Sequence, residues 1–190
     1  IKYTAQILYI IYFGMTIVEI VLLLISRMPA FDAITLSFGT AGTGGFGIKG
    51  DSLASYTALQ QWIVTIFMIL FGINFSAYFL LLSKKLRQAI HMEEVRWYLI
   101  IIFASIVFIS FNARAMFSTL EETIRHVSFQ VASVITTTGF ATTDFDLWPE
   151  FSRTILVILM FIGASAGSTG GGMKVSRLLI CFKSAAKEIS

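Results

Sequence analysis

The sequence has little charge, little histidine and a single cysteine. Charged residues make up 13% of the chain, against roughly 25% in a soluble domain, so they are too few to cover a water-facing surface. Because Cys181 stands alone, a disulfide within the chain is excluded. No paired carboxylates, histidine cluster or nucleophile beside a base is present, and we therefore expect the protein not to be an enzyme.

Long apolar runs take the place of the missing charge. Hydrophobic residues make up 56% of the chain, and the mean hydropathy is +0.82. At 1.5 Å per residue, each run below forms a helix long enough for the roughly 30 Å core of a membrane. We therefore predict an all-α integral membrane protein with four spanning helices: Tyr3–Ser26, Gln60–Ser83, Val95–Asn112 and Phe151–Phe182.

Two of these runs are interrupted. Gly72 and Asn74 interrupt the second run near its middle, and we expect Asn74 to hydrogen-bond across helices. The last run is broken by the glycine-rich stretch Gly163–Gly172. Glycine is a poor helix former, so both positions predict a discontinuity inside an otherwise spanning segment.

Two further stretches rich in threonine and glycine, Thr40–Gly47 and Thr136–Thr142, lie between the runs. Each follows an apolar piece too short to span, Phe31–Gly39 and Val127–Ile135. Non-helical backbone at membrane depth is tolerated only inside protein or beside water, and rings of carbonyl oxygens can replace the water around a cation. The C-terminal end of a half-helix also carries partial negative charge. We therefore predict a pore protein with two re-entrant half-helices and two pore loops.

The two halves of the chain follow one plan. With Gly45 aligned to Gly139, residues 1–90 and 91–190 each read as spanning helix, half-helix, loop and spanning helix. An even number of spans returns the chain to its starting side, so the repeats are predicted to be parallel. Basic residues gather on one side, which the positive-inside rule makes cytoplasmic: Lys2, Lys84, Lys85, Arg87, Arg96, Lys174, Arg177, Lys183 and Lys187. The opposite side is mildly acidic, which would gather cations at the mouth.

Two groups of acids need a separate interpretation. Glu19 lies inside the first run, and we expect a structural hydrogen-bonding role, with an acid that attracts cations as the alternative. The segment His91–Glu94 lacks the spacing of a zinc enzyme and is predicted to be a solvated loop.

Three motifs carry a resemblance to a known family: Phe38–Phe46, Phe129–Phe140 and above all Ala166–Lys174. Together they resemble the Trk/Ktr/HKT superfamily of potassium transporters, and specifically its TrkH-type membrane subunits. The family is built from four repeats around one pore, and these two look like the second and third. The chain is therefore expected to be a fragment of a longer protein, with potassium as its substrate and the bacterial inner membrane as its location.

The resemblance also implies roles for individual residues. It assigns the selectivity filter to Thr43, Gly44, Gly45 and Phe46 with Thr137, Thr138, Gly139 and Phe140. Potassium would be held at Thr43, Gly44, Gly45, Thr137, Thr138 and Gly139. A gate below the filter would include Gly163, Gly167, Ser168, Thr169, Gly170, Gly171 and Gly172, with Lys174 just cytoplasmic of it.

Partners follow from the same resemblance. It implies a homodimer in membrane lipid and a cytosolic nucleotide-binding regulatory subunit. We expect no organic cofactor in this chain and no nucleic-acid partner.

Other functions stay open at this stage. A secondary transporter of a small solute would also use discontinuous helices, and the Gly163–Gly172 break fits it. The stretch Gly167–Lys174 superficially resembles a phosphate-binding loop, but Met173 intrudes and the Gly-Lys-Ser/Thr order is missing. Its small residues would equally suit a seam where helices pack closely.

Overall fold

The computed structural model describes residues 2–189, and within them the fold is helical with no β-strand. Two short 3₁₀ turns accompany nine α-helices in this range. The helices are α1 (Lys2–Ile25), α2 (Ala30–Ala41), α3 (Ala58–Phe71), α4 (Phe75–Leu82), α5 (Leu86–Ile90), α6 (Glu93–Ala113), α7 (Leu120–Ile135), α8 (Glu150–Phe161) and α9 (Val175–Ile189).

Two described helical stretches are long and apolar enough to cross a membrane, Gln6–Ile25 and Glu93–Met116. A third crossing exists if α3 and α4, which meet at a 90° bend, count as one broken span. The fourth predicted run is divided into α8 and α9 by the non-helical residues 162–174. The structure therefore has fewer continuous spans than the four predicted, because the interruptions expected at Gly72 and at Gly163–Gly172 each end a helix inside its apolar run.

The bend between α3 and α4 has a local cause. Gly72 ends α3, and a Cβ at Gly72 would lie 2.1 Å from the hydroxyl oxygen of Tyr98, which donates to the Ile69 carbonyl at 3.1 Å. The Oδ1 atom of Asn74 then caps α4 by accepting from the Ser76 N–H at 2.8 Å. A crowded helix end at Gly72 and a new N-cap two residues later therefore redirect the chain.

The two predicted half-helices correspond to α2 and α7. Pro29 is the N-cap of α2, immediately before its first helical residue. The second helix, α7, starts at Leu120, well before the predicted Val127. The hydroxyl of Thr119 accepts from the Glu122 N–H at 3.1 Å, so an N-cap and acidic first-turn residues extend this helix toward its polar end.

The helix α7 lies at the centre of the molecule. It packs against α3, α6 and α8, and nearly every residue of its second half is buried. Phe129 and Phe140 from the second half of the chain join a core cluster with Leu23, Leu36 and Met68 from the first half. The two halves therefore share one core, while exposed apolar side chains on α1 and α6 face outward, where lipid is expected.

Glu19 lies fully buried on α1. Neither of its carboxylate oxygens has a hydrogen-bond partner among the described residues. The neighbouring Thr40 hydroxyl donates instead to the Leu36 carbonyl at 2.9 Å. Thr40 is nevertheless the side chain placed to hydrogen-bond Glu19, so the structural role expected for Glu19 stays a prediction.

Candidate functional site

Two loops with matching backbone conformations follow α2 and α7. In the first, Thr43 and Gly45 have positive φ angles of 51° and 70°, and in the second, Thr137 and Gly139 have 59° and 88°. Threonine is uncommon in the left-handed region. Its presence there at equivalent positions of both loops shows that the two loops follow the same backbone path.

The same hydrogen bonds end both helices. The N–H of Gly44 donates to the Gly39 carbonyl at 2.8 Å, and the N–H of Thr138 donates to the Ser133 carbonyl at 2.9 Å. Each bond runs from a residue to the carbonyl five positions earlier across a left-handed threonine, which is the bonding pattern of a Schellman cap. Both helices therefore stop at the same place relative to their loops.

The two loops meet each other. A Cβ added to Gly45 would lie 2.0 Å from the Thr138 carbonyl oxygen, so the backbones touch at this point. Gly139 lies beside this contact, since a Cβ added to Gly139 would be 3.9 Å from the Gly45 Cα. All the residues predicted for the filter thus belong to two adjacent, non-helical loops, whose members are Thr43, Gly44, Gly45, Phe46, Thr137, Thr138, Gly139 and Phe140.

Side-chain hydroxyls fix the second loop. The Ser133 hydroxyl donates to the Phe140 carbonyl at 2.6 Å, and the hydroxyls of Thr136 and Thr138 lie 2.7 Å apart. Thr136 also donates to the Ala132 carbonyl at 2.7 Å. Because these groups are buried, each bond satisfies a polar atom that water cannot reach, and the loop is held to one conformation.

The glycine-rich stretch, residues 163–172, forms a non-helical loop closed at its base. Ile162 and Met173 pair as an isolated parallel bridge, and the Gly163 N–H donates to the Met173 carbonyl at 2.8 Å. A Cβ on Gly163 would lie 2.1 Å from the Gly171 carbonyl oxygen, so no larger residue fits there.

This glycine loop reaches both threonine-glycine loops. The Gly171 N–H donates to the Thr137 hydroxyl at 2.7 Å, and the Thr43 hydroxyl donates to the Thr169 carbonyl at 3.4 Å. Thr43 and Thr137 are the two left-handed threonines, so equivalent residues of the two halves contact one segment. Lys174 donates from Nζ to the Gly170 carbonyl and supports the loop from its other end.

The glycine loop also fills the break between α3 and α4. The N–H groups of Ser165 and Thr169 donate to the Gly72 and Phe71 carbonyls at 3.0 and 3.4 Å. In return, the Phe75 N–H donates to the Gly167 carbonyl at 3.0 Å. The two interrupted runs therefore supply hydrogen-bond partners for each other at a depth where water is scarce.

One important residue escaped the sequence prediction. The segment His91–Glu94 was predicted to be a solvated loop, which is wrong for Glu94, because its carboxylate accepts from the Ala166 N–H of the glycine loop at 2.6 Å. The same carboxylate accepts from Asn74 Nδ2 at 3.3 Å, and this bond confirms the predicted contact of Asn74 across helices. Two adjacent acids at a helix start gave no signal that one of them turns inward.

The site offers backbone and hydroxyl oxygens as ligands. Among residues 2–189 there is no group of three or more His, Cys, Asp or Glu side chains that could hold a metal ion. Backbone carbonyls suit weakly bound, exchanging cations such as alkali ions, for which tight side-chain cages are unnecessary.

The fold and the site define a class, an all-α membrane protein in which two threonine-glycine loops meet and both contact a third non-helical segment. The family described as TrkH, a cation transport protein, matches residues 1–190, and the chain belongs to that family.

Relatives and a solved structure resemble the chain closely. It is 35% identical to the Trk system potassium uptake protein TrkH of Escherichia coli strain K12, over 98% of the chain and 39% of that protein. It is 32% identical to the Trk system potassium uptake protein TrkG of the same strain, with the same coverage. The crystal structure of the potassium transporter TrkH from Vibrio parahaemolyticus matches with a TM-score of 0.93 and 30% identity, over 99% of the chain and 42% of that structure. The chain thus spans about two fifths of the length of these relatives.

Proposed function

We propose that this chain forms part of a potassium-conducting pore in the bacterial inner membrane. Residues 1–90 and 91–190 are two parallel repeats of that pore, each with a re-entrant half-helix and a pore loop. Thr43–Phe46 and Thr137–Phe140 are two strands of its filter. The observation that carries the proposal is the contact between Gly45 and Thr138, where two loops with the same left-handed positions converge.

The backbone conformation supports ion coordination. Successive carbonyls of an extended strand point to alternate sides, and left-handed residues change that alternation. Thr43, Gly45, Thr137 and Gly139 are left-handed, so each loop departs twice from a regular strand. The partial negative charge at the ends of α2 and α7 lies beside these loops and favours a cation over an anion.

The glycine loop is the proposed gate. Its residues 163–172 contact the threonines that begin both filter strands, so a displacement of the loop would change the path directly beneath them. Glycine at several of its positions permits such a displacement, because few side chains lock it in place.

The relatives are named potassium uptake proteins of the Trk system, and their names support potassium as the substrate. We extend the proposal to the assembly expected from the family, a homodimer in lipid with a cytosolic nucleotide-binding regulatory subunit. No organic cofactor has a role in the proposed conduction path.

Ion flux in liposomes tests the proposal. The complete transporter that contains this chain is reconstituted, and potassium and sodium fluxes are measured separately under equal gradients. We expect potassium to permeate faster than sodium, and the Gly45→Val and Gly139→Val variants to lose this preference because both residues have left-handed φ angles. An unchanged preference in both variants would remove the filter assignment.

A second candidate is a secondary transporter of a small solute. The reciprocal hydrogen bonds between the α3–α4 break and the glycine loop favour it, since discontinuous helices build the binding sites of such transporters. Uptake of an organic solute driven by a sodium or proton gradient would support this function, and potassium flux without any added solute would argue against it.

A further inference from the structure

Glu94 holds together three separate parts of the chain. Its Oε1 atom accepts from the Ala166 N–H at 2.6 Å and from the Ser176 N–H at 3.3 Å. Its Oε2 atom accepts from Asn74 Nδ2 at 3.3 Å. These donors lie at the start of the glycine loop, in the first turn of α9 and at the N-cap of α4.

The chemistry of this cluster suits a carboxylate. Three N–H donors converge on two oxygens, and one of them belongs to the N-terminal turn of α9, where the helix dipole is positive. Lys174 adds positive charge nearby while its Nζ donates to the Gly170 carbonyl. Hydrogen bonds to a charged acceptor are about twice as strong as neutral ones, so a carboxylate at this position binds the three donors more tightly than an amide would.

The position of the cluster relates it to the proposed gate. The glycine loop contacts Thr43 and Thr137 on its filter side, and Glu94 binds it at Ala166, where the loop begins. Since Ala166 lies within the loop and Ser176 lies in the first turn of α9, one carboxylate oxygen connects the loop to the helix that follows it.

We propose that Glu94 is the positioning residue that anchors the glycine loop beneath the filter strands and so sets how readily the gate opens. This inference rests on the proposed function, in which the loop is the gate. Without the carboxylate, the Ala166 and Ser176 N–H groups lose their shared acceptor, and the loop is then free to leave its place below Thr43 and Thr137.

Adjacent acids provide a matched comparison. Glu93 is exposed, and its Oε2 accepts from Lys183 Nζ at 2.6 Å. Among the described residues, Glu93 makes no hydrogen bond to the glycine loop. The Glu94→Ala and Glu93→Ala variants each remove one negative charge at the start of α6, and they differ in whether the loop loses its anchor. The Glu94→Gln variant keeps an acceptor oxygen but not the charge.

Two measurements on the complete, reconstituted transporter test the inference. The first is potassium flux together with the potassium-to-sodium flux ratio. The second is the rate at which a cationic thiol reagent, added from the cytoplasmic side, labels a Ser168→Cys probe in a Cys181→Ser background. The parent for every labelling comparison is the same double variant with Glu94 intact.

We expect Glu94→Ala to raise both the basal potassium flux and the rate of probe labelling roughly tenfold. This is about the change in an equilibrium constant that follows the loss of one hydrogen bond to a charged group. The flux ratio should stay at its wild-type value, Glu93→Ala should match the parent, and Glu94→Gln should fall between. Equal labelling in Glu94→Ala and Glu93→Ala would overturn the inference, as would a collapse of the flux ratio, which would place the damage in the filter. Should Glu94→Ala fail to fold, labelling in Glu94→Gln decides.

The two proposals fail in different ways. Absence of potassium-selective flux in the unaltered transporter would refute the proposed function, whereas labelling would still show whether Glu94 anchors the loop. Selective flux that Glu94→Ala and Glu94→Gln both leave unchanged, with unchanged labelling, would refute the anchor alone.

Discussion

The two threonine-glycine loops share a backbone but not the means of holding it. In the second loop, Ser133, Thr136 and Thr138 supply the hydroxyl bonds that fix the conformation. Glycines stand at the equivalent positions of the first loop: Gly39, Gly42 and Gly44. The left-handed threonine and the helix-ending hydrogen bonds are common to both, so they set the path, and the hydroxyl bonds of Ser133, Thr136 and Thr138 add rigidity to the second loop only.

The aromatic residue in each loop shows a second difference. Phe140 is completely buried, whereas Phe46 is 83% exposed. The Phe140 ring lies against Gly39, where an added Cβ would be 2.9 Å from its Cζ atom. Glycine is therefore needed at position 39 for a steric reason, because a side chain there would occupy the space of the Phe140 ring. Residues at equivalent positions of the two loops can therefore differ in burial and in the contacts that they make.

The largest expected effect separates the two filter glycines. In Gly45→Ala the new Cβ would meet the Thr138 carbonyl oxygen at 2.0 Å, on top of an unfavourable φ of 70°. In Gly139→Ala the nearest atom would be 3.9 Å away, so only the left-handed backbone is strained, by about 1–2 kcal/mol. We expect Gly45→Ala to abolish selective flux and Gly139→Ala to reduce it. Comparable potassium-to-sodium flux ratios in the two variants would contradict this asymmetry.

A smaller effect is expected from filling the space beside Phe140. Gly39→Ala overpacks the contact with the ring and should lower the free energy of unfolding by about 1–3 kcal/mol. Thermal unfolding in detergent measures the loss. The matched double variant Gly39→Ala with Phe140→Leu should recover part of it, because the shorter side chain vacates the position of Cζ. Simple addition of the two single losses would show that they do not interact.

Removing one hydroxyl bond tests the rigidity of the second loop. Ser133→Ala leaves the Phe140 carbonyl without its donor and should cost about 1 kcal/mol of stability. Thermal unfolding is again the measurement, and hydrogen exchange of residues 136–141 should rise. If the loop exchanges as slowly as before, the hydroxyl bonds are not what fixes it.

The smallest effect compares the two threonines that contact the glycine loop. Valine keeps the branched shape and removes the hydroxyl. Thr137→Val deprives the Gly171 N–H of an acceptor at 2.7 Å, whereas Thr43→Val removes a longer bond of 3.4 Å. We therefore expect Thr137→Val to change basal flux by up to roughly tenfold and Thr43→Val by less. A greater change in Thr43→Val would show that the longer contact dominates.

Much of the architecture follows from sequence patterns. Long apolar runs predicted α1 and α6, and matched threonine-glycine segments predicted two non-helical loops at Thr43–Phe46 and Thr137–Phe140, which the structure shows in contact. Gly72 predicted an interruption, but not its 90° angle or the close approach of the Tyr98 hydroxyl from a helix distant in sequence. The role of the loops in conduction stays a prediction.

The details of the site depend on contacts that no local pattern encodes. The inward turn of Glu94 requires α6, the α3–α4 break and the glycine loop to be in place together. Likewise, the early start of α7 depends on a cap at Thr119 that lies within a polar segment. Periodicity identifies which segments are helical or broken, and it gives no information on which distant donors a carboxylate will meet.

The hydrogen bonds between the two interrupted runs have a consequence for biogenesis. Phe71 and Gly72 emerge from the ribosome long before Thr169 and Ser165, which supply their donors. Until then, bare carbonyls at membrane depth would each cost several kcal/mol. We therefore expect the bent segment to reach its final shape in lipid only after residues 165–169 have been synthesised.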